Sequence, residues 1–237
     1  MIPASFDQCA ILIFSRTAKH EAAVKIFDHT SGAGKNKAIA KSLIRQTLST
    51  ARRTHLPVFF HSSVAQAGNT FAENFADALE SIFRRGYHQV IAIGNDCPAL
   101  NTEDLLAATS QLNTTSLVLG PASDGGAYLI GIHKAAYNRA AFLQIHWQTT
   151  LVFEELAAYA GGDFGRLGEK SDVDSLADLA KVVRTDLLPV FLRIRLSNFL
   201  RQFFSSGFCR YEVAMPAIFL DYCALRGPPR FLTLSFA

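Results

Sequence analysis

The chain has 237 residues, 49% hydrophobic and 18% charged, with a formal net charge of +3. That supports one soluble domain, alone or with an extension, and excludes a fully disordered chain. No apolar run reaches the roughly 20 residues that cross a bilayer, because charges interrupt each one.

The amino terminus places Asp7 before a short apolar run, unlike a secretory signal, so cytoplasm is the expected compartment. Cys9, Cys97, Cys209 and Cys223 are scattered, with no CxxC pair, and read as reduced thiols. Charge is uneven. Residues 184–237 hold seven arginines against Asp186, Glu212 and Asp221, giving +4 and leaving −1 for the first 183. The main body lacks a basic stripe, so nucleic acid is not an expected partner.

Cys9 to Ser15 is a continuous apolar run and reads as a buried parallel strand. A loop carrying Arg16, Lys19, His20, Lys25 and Lys35 follows. Residues 36–53 repeat apolar positions at helical spacing. Leu56 to His61 is a second strand and Phe71 to Arg85 a second helix, ended by Gly86. Gln89 to Gly94 is a third strand. Thr102 is placed to cap the next helix. Ser116 to Gly120 and Ala127 to Ile132 read as strands four and five. Residues 149–160 form a helix, and Ser171 to Ser175 lead into another that ends near Val183. This alternation predicts an α/β domain with a largely parallel sheet. The last 54 residues are rich in Phe and Arg and contain no lysine. Leu187 to Phe204 reads as a helix starting near Pro189. The predicted division is therefore 1–183 for the domain and 184–237 for a helical extension. That extension packs on its own domain, on a partner or on a second copy, with residues 187–237 as the contact.

Ligands of open α/β sheets bind beyond the carboxyl ends of the strands. Asp96 stands there, just past VIAIG, where its carboxylate suits a hard divalent cation or caps the following turn. Asp124-Gly125-Gly126 follows the fourth strand. It is a binding loop, with free amides for an oxyanion, or a tight hairpin turn. Asp172 and Asp174 fall on one side of an extended segment and complete a metal site, or cap a helix. Arg16, Lys19 and Lys25 are suited to neutralising a diphosphate, or form a solvated patch. Trp147 lines a pocket mouth or fills the core. There is no P-loop, no Gly-x-Gly-x-x-Gly and no nucleophile elbow. No motif places a histidine beside Cys97, so cysteine catalysis is disfavoured.

Taken together, IGNDCPAL (Ile93 to Leu100), LGPASDGGAYLIGI (Leu119 to Ile132), His146-Trp147-Gln148-Thr149 and DVDSLADL (Asp172 to Leu179) carry a family pattern over roughly residues 9–183. The chain resembles the DUF2064 proteins, also called radical-SAM/selenodomain-associated transferase 1. These belong to the nucleotide-diphospho-sugar transferase superfamily. The resemblance implies a three-layer α/β/α, GT-A-like fold and a metal-dependent transferase. The implied donor is a nucleotide-sugar or nucleoside triphosphate, with a small acceptor. Glycosyl transfer is the first expectation; nucleotidyl transfer releasing pyrophosphate, or a degenerate binding protein, is the alternative. The implied cation is Mg²⁺ or Mn²⁺ on Asp96, Asp172 and Asp174. Asp96, Asp124 and Lys25 would be catalytic. Arg16, Lys19, Lys25, Gly125 and Gly126 would bind the nucleotide. The first loop departs from the family's Val-Lys-Thr-Arg-Leu: Lys25 matches its lysine, but Ile26 and Phe27 replace the threonine and arginine. Phenylalanine cannot supply arginine's charge-assisted hydrogen bonds.

Overall fold

The computed structural model describes residues 8–25, 33–62 and 70–205. The chain divides into two compact units, Met1–Phe203 and Phe204–Ala237. Beyond residue 205, the second lies outside the described residues, as do Ile26, Phe27, Cys209 and Cys223.

Six strands form one sheet: β1 (Cys9–Ser15), β2 (Val58–Ser62), β3 (Gln89–Ile93), β4 (Leu117–Pro121), β5 (Ala127–His133) and β6 (Gly165–Arg166). Their order is β2-β1-β3-β5-β4-β6. All pairings are parallel except those of β5, which runs antiparallel to both β3 and β4. The sheet is thus mostly parallel, but β4 and β5 are joined by a hairpin rather than a helical crossover.

Period-2 alternation explains the two buried faces. In β1, Ala10, Leu12 and Phe14 join one core with α3 (Phe71–Phe83), α5 (Arg139–Leu143) and α6 (Val152–Tyr159). Cys9, Ile11 and Ile13 join the other with α2 (Ala33–Arg52) and α4 (Thr102–Gln111). Apolar residues on both faces of a strand require cover on both sides, and the helices supply it. The result is the three-layer α/β/α architecture.

Two local expectations are corrected. The segment after β1 is not all loop: α1 spans Ala18–Val24, with Thr17 as its N-cap. It has no apolar repeat to reveal it; it is held by the cap and by Glu21, which is buried. The cap of α4 is Asn101, not Thr102, and Asn101 and Asp104 form a reciprocal capping box. The chain continues through α7 (Leu176–Val183) and α8 (Val190–Ser205). Leu188, Leu192, Leu196 and Leu200 are buried at a helical repeat, while Leu187, Val190, Phe191 and Ile194 are exposed. Among the described residues no helix is long and apolar enough to cross a membrane.

Candidate active site

A cavity of about 650 Å³ opens at the carboxyl ends of β1 and β3. Because β5 is antiparallel, its first residues, Ala127 and Tyr128, reach the same edge. Four separate stretches of chain deliver its charged residues.

The first is the exit of β1 with α1. Lys25 is the C-cap residue of α1, one turn after Glu21. Its Nζ lies 2.6 Å from Asp174 Oδ1, 3.3 Å from Asp96 Oδ2 and 3.5 Å from Glu21 Oε1. It also donates to the Val173 carbonyl at 3.3 Å. Arg16 Nη1 is 3.7 Å from Glu21 Oε2. Lys19 is exposed on α1 and is not part of the lining.

The second stretch is the exit of β3. The Asp96 carboxylate folds back over Gly94, in space that a side chain there would occupy. The Asp96 carbonyl accepts a 2.8 Å bond from the Val173 N–H, which ties the third stretch to the second. Val173 is fully buried, and Asp172 and Asp174 on either side of it both line the cavity. Helix α7 does not draw on them for its cap, since Ser175 and Asp178 form that capping box. Asp174 is left to Lys25.

The hairpin from β4 to β5 contributes Asp124 and Gly126 to the lining. Asp124 Oδ1 accepts from the Gly126 N–H at 2.9 Å, and the Gly125 N–H donates to Ala122 at 3.1 Å. Neither glycine amide is therefore open to an anion; the segment is both a tight turn and a cavity wall. Gly125 has φ +89°, and a Cβ there would collide with the Thr150 carbonyl. That position accepts only glycine without strain.

Charge in the cavity is unbalanced. Among the described residues, Glu21, Asp96, Asp124, Asp172 and Asp174 share the lining with only two cations, Arg16 and Lys25. Burial, then the charges of Asp96, Asp124 and Asp174, push the Asp172 carboxyl up to about 8. Its Oδ1 is buried and has no hydrogen-bond partner among the described residues. Burial opposes the charge on Lys25, but Asp96, Asp174 and Glu21 outweigh it and hold the ammonium protonated. At about 4 Å, one uncompensated like-charge pair costs about 4 kcal/mol at an effective dielectric of 20. Carboxylate oxygens are the donor type that hard divalent cations take. Among the described residues, no group of three or more His, Cys, Asp or Glu is placed to hold a metal ion. Cys97 is buried, and burial together with Asp172 and Asp96 raises its thiol further from ionisation, the wrong direction for a nucleophile.

The opposite wall is aromatic. Phe14, Phe71, Phe75 and Trp147 line it, with ring centroids 4.8 Å apart for Phe14–Phe75 and 5.2 Å for Phe75–Trp147. Trp147 serves both readings of the sequence, since it lines the cavity and its indole N–H donates to Phe142 at 3.0 Å. Beside it, Gln148 adopts φ +65° and also lines the cavity. Glu21, Phe14, Phe71 and Phe75 were not legible as site residues. The two helical phenylalanines share the spacing of a core face, and only the Glu21/Lys25 separation of four hinted at a pair.

Asp96 and Asp124 line one cavity, and both lie in the stretch that a known family matches. Residues 37–149 match the DUF2064 family model, described as an uncharacterized protein conserved in bacteria. That stretch is somewhat under half of the chain. It includes Asp96 and Asp124 but neither Lys25 nor the Asp172/Asp174 pair, which the fold brings to the matched stretch from either side. No curated protein sequence matches the chain. Among solved structures, a protein from Desulfovibrio desulfuricans G20, provisionally named a nucleotide-diphospho-sugar transferase, aligns with a TM-score of 0.70 at 22% identity. The alignment covers 84% of this chain and 96% of that one. It shows the shared GT-A-like fold. A CMP:2-keto-3-deoxy-manno-octonic acid synthetase complexed with CTP gives a TM-score of 0.44 at 11% identity, over 81% of this chain and 99% of that one. Rv0371c of Mycobacterium tuberculosis H37Rv, complexed with manganese, gives 0.44 at 12%, over 74% and 97%.

Proposed function

We propose that this chain is a transferase acting on a nucleotide-activated substrate. One observation carries the proposal: Lys25, Asp96, Asp172 and Asp174 meet at the carboxyl edge of the sheet, at one end of a cavity with an aromatic wall. Phosphate transfer chemistry needs charge neutralisation and positioning more than a covalent nucleophile. The residues present suit the first two, and Cys97, buried behind Asp96, is unsuited to the third.

In this reading Lys25 and Arg16 neutralise the phosphates, and Lys19 attracts the anion from the surface of α1. Asp96, with Asp172 and Asp174, would hold Mg²⁺ or Mn²⁺, which when bound offsets charge on the phosphate oxygens. The aromatic wall receives a base or the apolar part of an acceptor. Asp124 and its glycine turn shape the acceptor side. Nucleotidyl transfer breaks the bond between the α- and β-phosphates as an acceptor oxygen attacks the α-phosphorus, and pyrophosphate leaves. Glycosyl transfer on the same site breaks the sugar–phosphate bond, and a nucleoside diphosphate leaves. We place nucleotidyl transfer first; Lys25 and Arg16 serve the phosphates in either reaction, and the label that moves decides between them.

The test supplies the protein with nucleoside triphosphates labelled at the α-phosphate, or nucleotide-sugars labelled in the sugar. A small-molecule cell extract serves as acceptor source, with Mg²⁺ or Mn²⁺ added. Label passing to a new product identifies the reaction, and Asp96→Ala abolishes it. If neither label moves, the chain is a binding protein on a transferase fold.

A further inference from the structure

A second concavity, of about 620 Å³, lies at the carboxyl end of α2. Arg45, Leu48, Ser49, Arg52, Arg53 and His55 line it, and it shares no lining residue with the candidate active site. Arg45, Leu48, Ser49 and Arg52 fall at i, i+3, i+4 and i+7, so they share one face of the helix. Arg53 follows the last turn. His55 takes φ +61°, a left-handed conformation that few non-glycine residues adopt, as the chain turns back toward β2. No carboxylate lines the concavity, and among the described residues none is ion-paired with these three arginines or His55. Arg53 is held in place. Its Nε–H donates to Thr102 Oγ1 at 3.1 Å, Nη1 to Ser49 Oγ at 3.2 Å and Nη2 to Thr50 Oγ1 at 3.2 Å. Thr50 is buried in α2 and Thr102 opens α4, so two helices fix the guanidinium. All three acceptors are neutral hydroxyls. They orient the cation without balancing its charge, and they leave one N–H on each Nη for another acceptor.

We infer that this concavity is a second anion site, separate from the candidate active site, for a small molecule carrying two or more linked phosphoryl groups. Cations near a helix carboxyl end are favoured by the helix dipole. That accounts for Arg52 and Arg53, but not for Arg45, two turns back, nor for a guanidinium fixed by hydroxyls alone. The arginines repel one another until an anion joins them. One phosphate monoester carries roughly −1.5 to −2, less than the three guanidinium charges of the lining. Two or three linked phosphoryl groups match it. Arg45 and Arg52 stand about 10 Å apart along the helix axis, a span that suits a chain of phosphates better than a single one. Arg53 supplies the fixed, planar donor that phosphate oxygens accept from in pairs. Leu48 gives the concavity an apolar floor. Nothing in this site draws on the residues proposed for transfer, and its occupation requires no turnover.

Calorimetry in EDTA at one ionic strength tests this, with tripolyphosphate, orthophosphate, adenosine triphosphate and a single-stranded oligonucleotide as probes. Tripolyphosphate should bind one per chain, at least tenfold more tightly than orthophosphate. The double variant Arg45→Gln/Arg52→Gln should weaken it at least tenfold. Arg53→Lys, which keeps the charge and loses the planar fork, should weaken it at least threefold. Lys37→Gln/Arg84→Gln removes the same charge from exposed positions elsewhere and should change the affinity less than twofold, as should Asp96→Ala. Circular dichroism of each variant checks that the fold persists. Adenosine triphosphate binding as tightly as tripolyphosphate, or more tightly, supports the site and shows whether the nucleoside adds to the phosphates. Three results overturn the inference: no tripolyphosphate binding, equal weakening by the Lys37/Arg84 control, or binding lost in Asp96→Ala and kept in Arg45→Gln/Arg52→Gln. Tighter binding of the oligonucleotide, lost in the same arginine variants, overturns the assignment to a small molecule. A protein that binds tripolyphosphate here but transfers nothing refutes the transferase proposal alone.

Discussion

Lys25 Nζ lies 2.6 Å from Asp174 Oδ1, so the end of the first helix is fastened to the segment that leads into α7. The fastening is shared: Glu21, buried one turn earlier, contacts both Lys25 and Arg16. Glu21→Gln removes a buried charge that two cations face. It should cost about 1–3 kcal/mol of stability, read as a lower urea midpoint with an unchanged slope. An unchanged midpoint would show that the cluster does not hold α1 in place.

Asp172 gives the protein a distinctive pH dependence. Its carboxyl rises from 3.8 to about 8 on folding. Below the lower value both folded and unfolded states carry the proton. As pH rises, the unfolded chain loses it first, while the folded protein keeps it until about pH 8. Stability therefore falls across this window and levels off above it. In EDTA, Asp172→Asn should gain on the wild type steadily from pH 4 to 8, by a few kcal/mol in all, since each unit is worth about 1.4 kcal/mol. Parallel stability curves for the two proteins would contradict this.

Cys97 sits beside Asp96 in sequence but is buried and held protonated. Cys97→Ala should leave turnover or ligand affinity within about threefold of wild type, with a stability loss of about 1 kcal/mol from the small cavity it leaves. A loss of activity beyond about a hundredfold, in a folded variant, would return cysteine chemistry to the site.

Gly125 is the most constrained point of the hairpin, with φ +89° and the Thr150 carbonyl where a side chain would go. Gly125→Ala should destabilise the protein by about 1–3 kcal/mol. It should also displace the Thr149–Thr150 rim of the cavity, weakening ligand binding. A neutral melting temperature would mean the turn adapts freely.

Much of this was legible in the sequence because the strands are short apolar runs covered on both faces, a pattern that needs no partner to be recognised. The same period that buried Ile11 on one side and Leu12 on the other fixed the layers. The hairpin was less legible. Asp124-Gly125 signals a turn, but a turn signal does not say that the next strand reverses inside a parallel sheet, so β5's direction had to come from its pairing. Helix α1 was hidden because it is held by the Thr17 cap and by ion pairs from Lys25 to the distant Asp96 and Asp174, neither of which leaves a periodic trace. The aromatic wall was hidden for the opposite reason. Phe71 and Phe75 obey the core rule, and it is only the gap between β1 and the Trp147 loop that exposes one side of them to a ligand. For Asp174 the alternative as a cap was separated only when Ser175 and Asp178 proved to cap α7 without it.

The most direct test of the central claim is calorimetric titration of metal-stripped wild-type protein and Asp96→Ala with nucleoside triphosphates and with UDP-, GDP- and ADP-sugars. Each is titrated with and without Mg²⁺ or Mn²⁺. The account predicts saturable, metal-dependent binding of one nucleotide class by the wild type and its loss in Asp96→Ala. Binding of no nucleotide under any metal condition, or equal binding by Asp96→Ala, would contradict it.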